Sequence, residues 1–125
     1  MASPNPTIAG NRYGISPLNI VIAAGTALSE TIITKSQSLI GIIVPSNWTT
    51  ANISVLISPD GTTFYPVYDW AGTEYVITAS AGNYIALDPW ELVGAYAIQL
   101  RSGTNATPVN QTTASQLTIL VRELT

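Results

Sequence analysis

The chain contains no cysteine and no histidine, and only 9% of its residues are charged. Without cysteine it has no disulfide, no thiolate nucleophile and no sulfur ligand for a metal. Without histidine it also lacks the commonest general base and the commonest nitrogen ligand of metal ions. These absences exclude most enzyme mechanisms and most transition-metal sites, and we expect no cofactor.

Basic residues are scarce as well: four Lys and Arg stand against seven Asp and Glu, which gives a net charge of −3. Proteins that bind nucleic acid or an anionic membrane surface normally carry a basic patch. The uncharged stretch 36–59 is too polar for a membrane span, which needs about 20 predominantly apolar residues. The residues after Met1 lack the basic region of a secretory signal, so we expect none. We therefore expect no nucleic-acid partner, no membrane partner, and folding in a cytoplasm.

The surface must be covered by uncharged polar groups, because Ser and Thr make up roughly a fifth of the 125 residues. This length fits one domain, since two separate cores would each be too small to be stable. The hydrophobic content of 46% is sufficient for one ordinary core.

Short apolar runs recur about every ten residues between turn residues, a pattern typical of antiparallel sandwiches and barrels. The predicted strands are 18–24, 27–34, 39–44, 52–58, 63–68, 73–78, 83–87, 95–101 and 116–122. We predict an all-β fold, an antiparallel β-sandwich of jelly-roll type with eight or nine strands, over residues 18–125. One short helix is predicted at 88–96, where Asp88 would cap it, Pro89 suits its first turn and Gly94 would end it.

Three strands alternate between apolar and polar residues, which places every second side chain in the core. The side chains predicted to point inward are Ile53, Val55, Ile57, Tyr96, Ile98, Leu100, Leu117, Ile119 and Val121. The run at 39–44 is apolar on both faces and predicts a central strand, with Gly41 allowing close approach. Leu56 and Leu120 fall on the opposite faces of their strands. We predict that another chain or the short helix covers both.

Residues 1–17 mix Pro, Gly, Asn and Ser, which predicts an extended N-terminal arm rather than a strand or helix. Ile8, Tyr13 and Ile15 are spaced so that an extended arm could place them in successive pockets over ~20 to 25 Å. We predict that the arm lies on a neighbouring subunit or on a partner protein, with these three side chains in the interface.

Carboxylates offer the only remaining catalytic or metal chemistry. Asp69 with Glu74 forms one candidate pair for glycoside hydrolysis, and Asp88 with Glu91 forms another. Asp60 could join Asp69 and Glu74 in a calcium site between adjacent loops, although no DxDxDG-like run supports it. Turns and helix caps favour the same residue types at these positions. We therefore predict no catalytic residue, no metal site and no enzymatic activity.

Aromatic residues are the other candidates for binding. Trp48, Trp70 and Trp90 could stack on sugar rings through a flat apolar face with a polar edge. Trp48 and Trp70 lie in turn-rich stretches and are expected to be exposed. Aromatic side chains more commonly close the ends of a β-fold or fill protein interfaces.

A series of motifs runs through the chain between residues 27 and 121: a Pro followed by a Trp-Thr step, a Ser-x-Asp-Gly-x-x-Phe-Tyr segment, a Tyr-Ile-x-Leu-Asp-Pro segment and an Arg-Ser-Gly-Thr stretch. The residues concerned are Pro45, Trp48, Thr49, Ser58, Asp60, Gly61, Phe64, Tyr65, Tyr84, Ile85, Leu87, Asp88, Pro89, Arg101, Ser102, Gly103 and Thr104. This pattern resembles small virion accessory proteins of tailed phages and prophages and, more distantly, discoidin-like jelly rolls.

The resemblance implies a non-enzymatic structural protein of the virion, made in the host bacterial cytoplasm. A capsid decoration or cement protein would stabilise the shell through protein–protein contacts with a phage capsid or other virion protein. A domain of this size is then expected to act as a symmetric homo-oligomer, for example a trimer. The alternative is a carbohydrate-binding or receptor-recognition module of a phage tail or fibre, and head and tail locations both remain open.

Overall fold

The computed structural model describes residues 16–35 and 37–123. The predicted arm residues Ile8, Tyr13 and Ile15 lie outside the described residues. The first strand begins at Ser16, so Pro17 already belongs to a strand of the fold rather than to the segment before it.

The described chain forms nine β-strands and no helix, which confirms the predicted all-β fold and the strand number. The strands are β1 (Ser16–Ile22), β2 (Ile32–Ile33), β3 (Gln37–Ile43), β4 (Ile53–Ser58), β5 (Tyr65–Pro66), β6 (Val76–Ile77), β7 (Tyr84–Ala86), β8 (Ala97–Ser102) and β9 (Ser115–Glu123). Each overlaps one predicted strand, but β2, β5 and β6 are much shorter than predicted.

Two antiparallel sheets pack face to face. The first sheet has the strand order β1-β9-β3-β7, and the second has the order β2-β8-β4-β5, with β6 also paired to β4. Both contribute to a single hydrophobic core, for example Ile42 and Ile119 from the first sheet and Ile53 and Leu100 from the second. The architecture is therefore an antiparallel β-sandwich whose core lies between the two sheets.

Period-two alternation predicts the core side of β4, β8 and β9 with one error. The residues confirmed as buried are Ile53, Val55, Ile98, Leu100, Leu117, Ile119 and Val121. Ile57 is half-buried and packs against the same core. Tyr96 is 41% exposed, so its predicted burial is wrong. The chain bends at Tyr96 and β8 begins only at Ala97, so the alternation of the strand does not extend to this residue.

The third strand lies between β9 and β7, which confirms the predicted central position of the run at 39–44. Its register with β9 shifts between Leu39 and Gly41, so Ile40 is a bulged residue. The bulge allows Leu39 and Ile42 to enter the same core although they are three residues apart. A side chain at Gly41 would overlap the Tyr84 phenol, so the predicted close approach is confirmed.

The predicted helix at 88–96 is wrong, because this segment forms successive turns. Asp88 Oδ1 accepts the Trp90 N–H at 3.0 Å, as a helix cap would. The next backbone bonds run from Glu91 N–H to Asp88 O and from Ala95 N–H to Leu92 O, each spanning only three residues. So short a segment does not offset the cost of helix nucleation. Leu92 in this segment is buried in the core.

Candidate functional site

Two separate strands, β5 and β6, pair with β4, and the residues between them leave the sheet. Leu56 of β4 pairs with Pro66 of β5, and continuing this register would pair Ser54 with residue 68. Ser54 pairs instead with Val76, eight residues later along the chain. Residues 68–75 are therefore an eight-residue insertion that leaves the edge of the second sheet and returns to it. We call this segment the 68–75 hairpin.

The tip of the hairpin is fixed by hydrogen bonds around Asp69. The Asp69 N–H donates to Thr73 O at 2.8 Å, and the Gly72 N–H donates to Asp69 O at 3.0 Å. Asp69 Oδ1 accepts the N–H groups of Ala71 and Thr73, each at 2.9 Å. Gly72 has φ +87°, which favours glycine at this turn. The backbone on both sides of Trp70 is therefore held in one conformation.

The base of the hairpin is tied to the sheet by Arg101. Its Nη2 lies 3.1 Å from Glu74 Oε2, with both side chains largely buried. Arg101 Nε donates to Ser54 Oγ at 3.0 Å, and Nη1 donates to Asn105 Oδ1 at 3.3 Å. The Asn105 N–H donates to Glu74 Oε2, and its side-chain amide donates to the Tyr68 hydroxyl. This network connects the hairpin to β4, β8 and the loop after β8.

Tyr75, the last residue of the hairpin, provides an apolar anchor in addition to this polar one. Its side chain is half-buried and packs against the core. Burial raises the pKa of the Tyr75 phenol, and the negative charges of Glu91 and Asp88 raise it further. The phenol therefore remains neutral at physiological pH.

The three predicted aromatic candidates have different environments. Trp70 is 99% exposed at the tip of the 68–75 hairpin, and Trp90 is 66% exposed in the turn between β7 and β8. Trp48 is only 6% exposed, so its predicted exposure is wrong. Its turn-rich segment crosses one end of the sandwich, where the indole joins the core and Nε1 donates to Ala51 O at 3.0 Å. Trp70 and Trp90 remain candidates for binding.

The carboxylates considered for catalysis or calcium stabilise local structure. Asp60 Oδ1 accepts bonds from the N–H groups of Thr62 and Thr63 and from the Ser58 hydroxyl, and these bonds hold the pKa of Asp60 well below its usual value. Asp69 caps its own turn, and Glu74 pairs with Arg101. Within residues 16–35 and 37–123, no three acidic side chains are grouped so that they could hold a metal ion.

Gln111 is a structurally important residue that the sequence analysis did not identify. Its side chain is fully buried and makes four hydrogen bonds. Oε1 accepts the Thr49 N–H at 2.8 Å and the Ser115 hydroxyl at 2.9 Å. Nε2 donates to Thr49 O at 3.1 Å and to Ser102 Oγ at 2.7 Å. It therefore joins three chain segments at one end of the sandwich, although its own loop is a long, predominantly polar segment with no distinguishing pattern.

The outer face of the first sheet carries exposed apolar side chains among polar ones. Leu120 is half-buried and lies between Pro17 on β1 and Gly41 on β3. Ile43 and Tyr84 occupy the adjacent row of the same face, and both are exposed. Such a group of exposed apolar side chains is typical of an interaction surface.

The outer face of the second sheet also carries exposed apolar side chains, which lie among polar ones. Leu56 is half-buried and pairs with Gln99 on β8 and Pro66 on β5. Ile33 and Val76 on flanking strands of this face are exposed. The predicted cover of Leu56 and Leu120 by a helix is excluded, because residues 88–96 form turns. Their cover by another chain stays a prediction.

Comparisons of this chain with protein-family models, curated proteins and solved structures found no match. No helix in the described ranges is long and apolar enough to cross a membrane. Function is therefore inferred from the chain's own residues and their arrangement.

Proposed function

We propose that the chain is a non-enzymatic structural protein of a phage virion, a capsid decoration or cement protein that stabilises the shell through protein–protein contacts. The observation that carries this proposal is the presence of exposed apolar side chains on the outer faces of both sheets. The motifs that resemble virion accessory proteins support the virion as the location.

Both outer faces suit repeated contacts. Specific interfaces bury about 1,200 to 2,000 Å² in total. A small domain that joins several neighbours needs more than one apolar surface, and it gains contact area by assembling as a symmetric homo-oligomer, such as a trimer. The low charge of the chain favours such contacts, because few charged groups need to be desolvated at an interface.

Co-sedimentation with undecorated capsids tests the proposal. We expect the purified protein to bind in a saturable manner. Ile43→Asp places a charge on the outer face of the first sheet and should weaken binding, whereas Ala81→Asp adds the same charge to an exposed loop and serves as the matched control. Free protein with no affinity for capsids or any other virion component would refute the proposal.

A second candidate function is carbohydrate binding or receptor recognition in a phage tail or fibre. The observation in its favour is the exposure of Trp70 and Trp90, because flat aromatic faces stack on sugar rings. A glycan array should then give binding that Trp70→Ala or Trp90→Ala abolishes. The absence of glycan binding would remove this candidate.

A further inference from the structure

The 68–75 hairpin is dispensable for the pairing of the second sheet. Val67 N–H donates to Val55 O at the end of the β5 register, and Ser54 resumes pairing at Val76. Without the insertion, β5 and β6 would form one continuous neighbour of β4. Of the eight inserted residues, only Tyr75 packs against the core. The hairpin therefore adds little to the core of the sandwich.

The hairpin is nevertheless rigidly held. Two bonds to Asp69 Oδ1 and two backbone bonds fix its tip, and Tyr75 N–H donates to Val67 O at its base. The Arg101–Glu74 ion pair adds a largely buried charged contact, which is costly to desolvate and is not by itself a source of stability. A large apolar side chain that is fully exposed on a pre-organised turn has the properties of an interface hot spot.

We propose that Trp70 inserts into a preformed apolar pocket on the shell protein, and that Glu74, held by Arg101, is a positioning residue for this contact. The inference rests on the proposed function, which supplies the partner. Trp70 enters the pocket as a side chain whose backbone is already ordered, so binding requires little further loss of conformational freedom.

A protein pocket fits the hairpin better than a sugar does. Sugar recognition needs polar groups that reach the hydroxyls around an aromatic platform, usually in a concave site. Here Asp69 Oδ1 already accepts two backbone N–H groups, Glu74 pairs with Arg101, and the Asn105 amide bonds to Tyr68. Trp70 also projects from the surface, so it is suited to enter a cavity rather than to line one.

Insertion into a second copy of the chain is the competing outcome, because a head-to-tail contact of this kind can close in a ring such as the proposed trimer. The test below separates the two partners: a Trp70→Ala variant that loses only self-association would place the pocket on the chain itself.

The test compares the affinities of wild-type protein, Trp70→Ala and Trp90→Ala for undecorated capsids. We expect Trp70→Ala to bind about 30-fold more weakly or worse, as for an interface hot spot. Trp90→Ala, the matched control at the second exposed indole, should change affinity by less than about threefold. Thermal unfolding of both variants should match that of wild type, because neither indole is buried.

The outcomes separate this inference from the proposed function. If wild type and Trp70→Ala bind capsids equally, the insertion of Trp70 is refuted and the proposed function stands. If wild type does not bind capsids, the proposed function fails and the inference fails with it. A Trp70→Ala variant that loses only glycan binding or only self-association also overturns the inference.

Two further variants test the positioning role. In a double-mutant cycle, Glu74→Gln should weaken capsid binding in the wild-type background and have no effect in the Trp70→Ala background. Equal effects in both backgrounds would refute positioning. A second variant lacks residues 68–75 and carries Arg101→Met, a substitution that avoids an unpaired buried charge. It should bind capsids as weakly as Trp70→Ala. Binding at the wild-type level would refute the role of the hairpin.

Discussion

Replacing Gln111 with Met should destabilise the fold more than any surface substitution of the same type. Methionine has a similar length and volume but cannot make the four side-chain hydrogen bonds of Gln111. The lost partners are the Thr49 N–H and C=O groups and the hydroxyls of Ser102 and Ser115. Ser102 and Ser115 are fully buried, so water cannot replace the lost bonds there, although the Ser115 hydroxyl keeps Thr113 O as an acceptor at 3.2 Å.

The expected magnitude follows from these four bonds. At a net value of about 1 kcal/mol for each, the loss is about 4 kcal/mol. Thr49 is only half-buried, so water recovers part of this loss, and we expect a decrease of about 3 kcal/mol in the free energy of unfolding. For a domain of this size, that decrease corresponds to a fall of roughly 10 °C in melting temperature.

Urea unfolding followed by the fluorescence of buried Trp48 measures the effect. Gln116→Met is the matched control, because Gln116 is exposed on β9, and it should change stability by less than about 0.5 kcal/mol. A Gln111→Met variant within about 1 kcal/mol of wild type would show that the buried amide network does not stabilise this end of the sandwich.

Three further predictions concern a glycine, a carboxylate and the N-terminal segment. Gly103→Ala should lower the free energy of unfolding in urea by more than about 2 kcal/mol, because Gly103 has φ +92° and a Cβ there would overlap the backbone of residues 107–109. Gly25→Ala is the control: Gly25 has φ +78° but lies in open space, so the substitution should cost only about 1 kcal/mol. Equal costs for the two variants would contradict this. The pKa of Asp60 is lower in the folded than in the unfolded chain. Ionised Asp60 therefore stabilises the fold above the ordinary pKa of 3.8, and this stabilisation is lost as the pH falls below that value. Asp60→Asn should therefore make the melting temperature less dependent on pH below about 4, and an unchanged pH profile would refute this. Deletion of residues 2–15 should leave the melting temperature unchanged and weaken oligomer or capsid association; a collapse of the melting temperature with association unchanged would mean that the segment belongs to its own sandwich.

Strand positions could be predicted from the sequence because they depend on local signals. Turn residues end each apolar run, and period-two alternation places Ile53 or Ile119 in the core without knowledge of the partner strand. The same reasoning fails at Tyr96 because the chain bends just before the strand begins. It also fails at 88–96, where the local capping signal is correct but the segment is too short to offset the cost of helix nucleation.

The turn at 69–74 follows from its sequence, but the extent of the hairpin and the role of the buried amide could not be predicted, because both depend on distant contacts. The segments 63–68 and 73–78 suggest two full strands. Only residues 65–66 and 76–77 pair with β4, and the residues between them leave the sheet as the 68–75 hairpin. Trp48 and Trp70 lie in similarly turn-rich sequences, and only the course of the chain over the end of the sandwich buries the first. Gln111 bonds to Thr49, 62 residues away, which no local pattern reveals.

The most direct test of the shell-binding role is the thermal stability of undecorated capsids with and without saturating protein. A ligand that binds only the assembled shell must raise the temperature at which the shell dissociates, by an amount that grows with its concentration. We predict such a rise for wild-type protein and a smaller one for Trp70→Ala. A dissociation temperature unchanged at all concentrations of wild-type protein would contradict the proposal that this protein stabilises a virion shell.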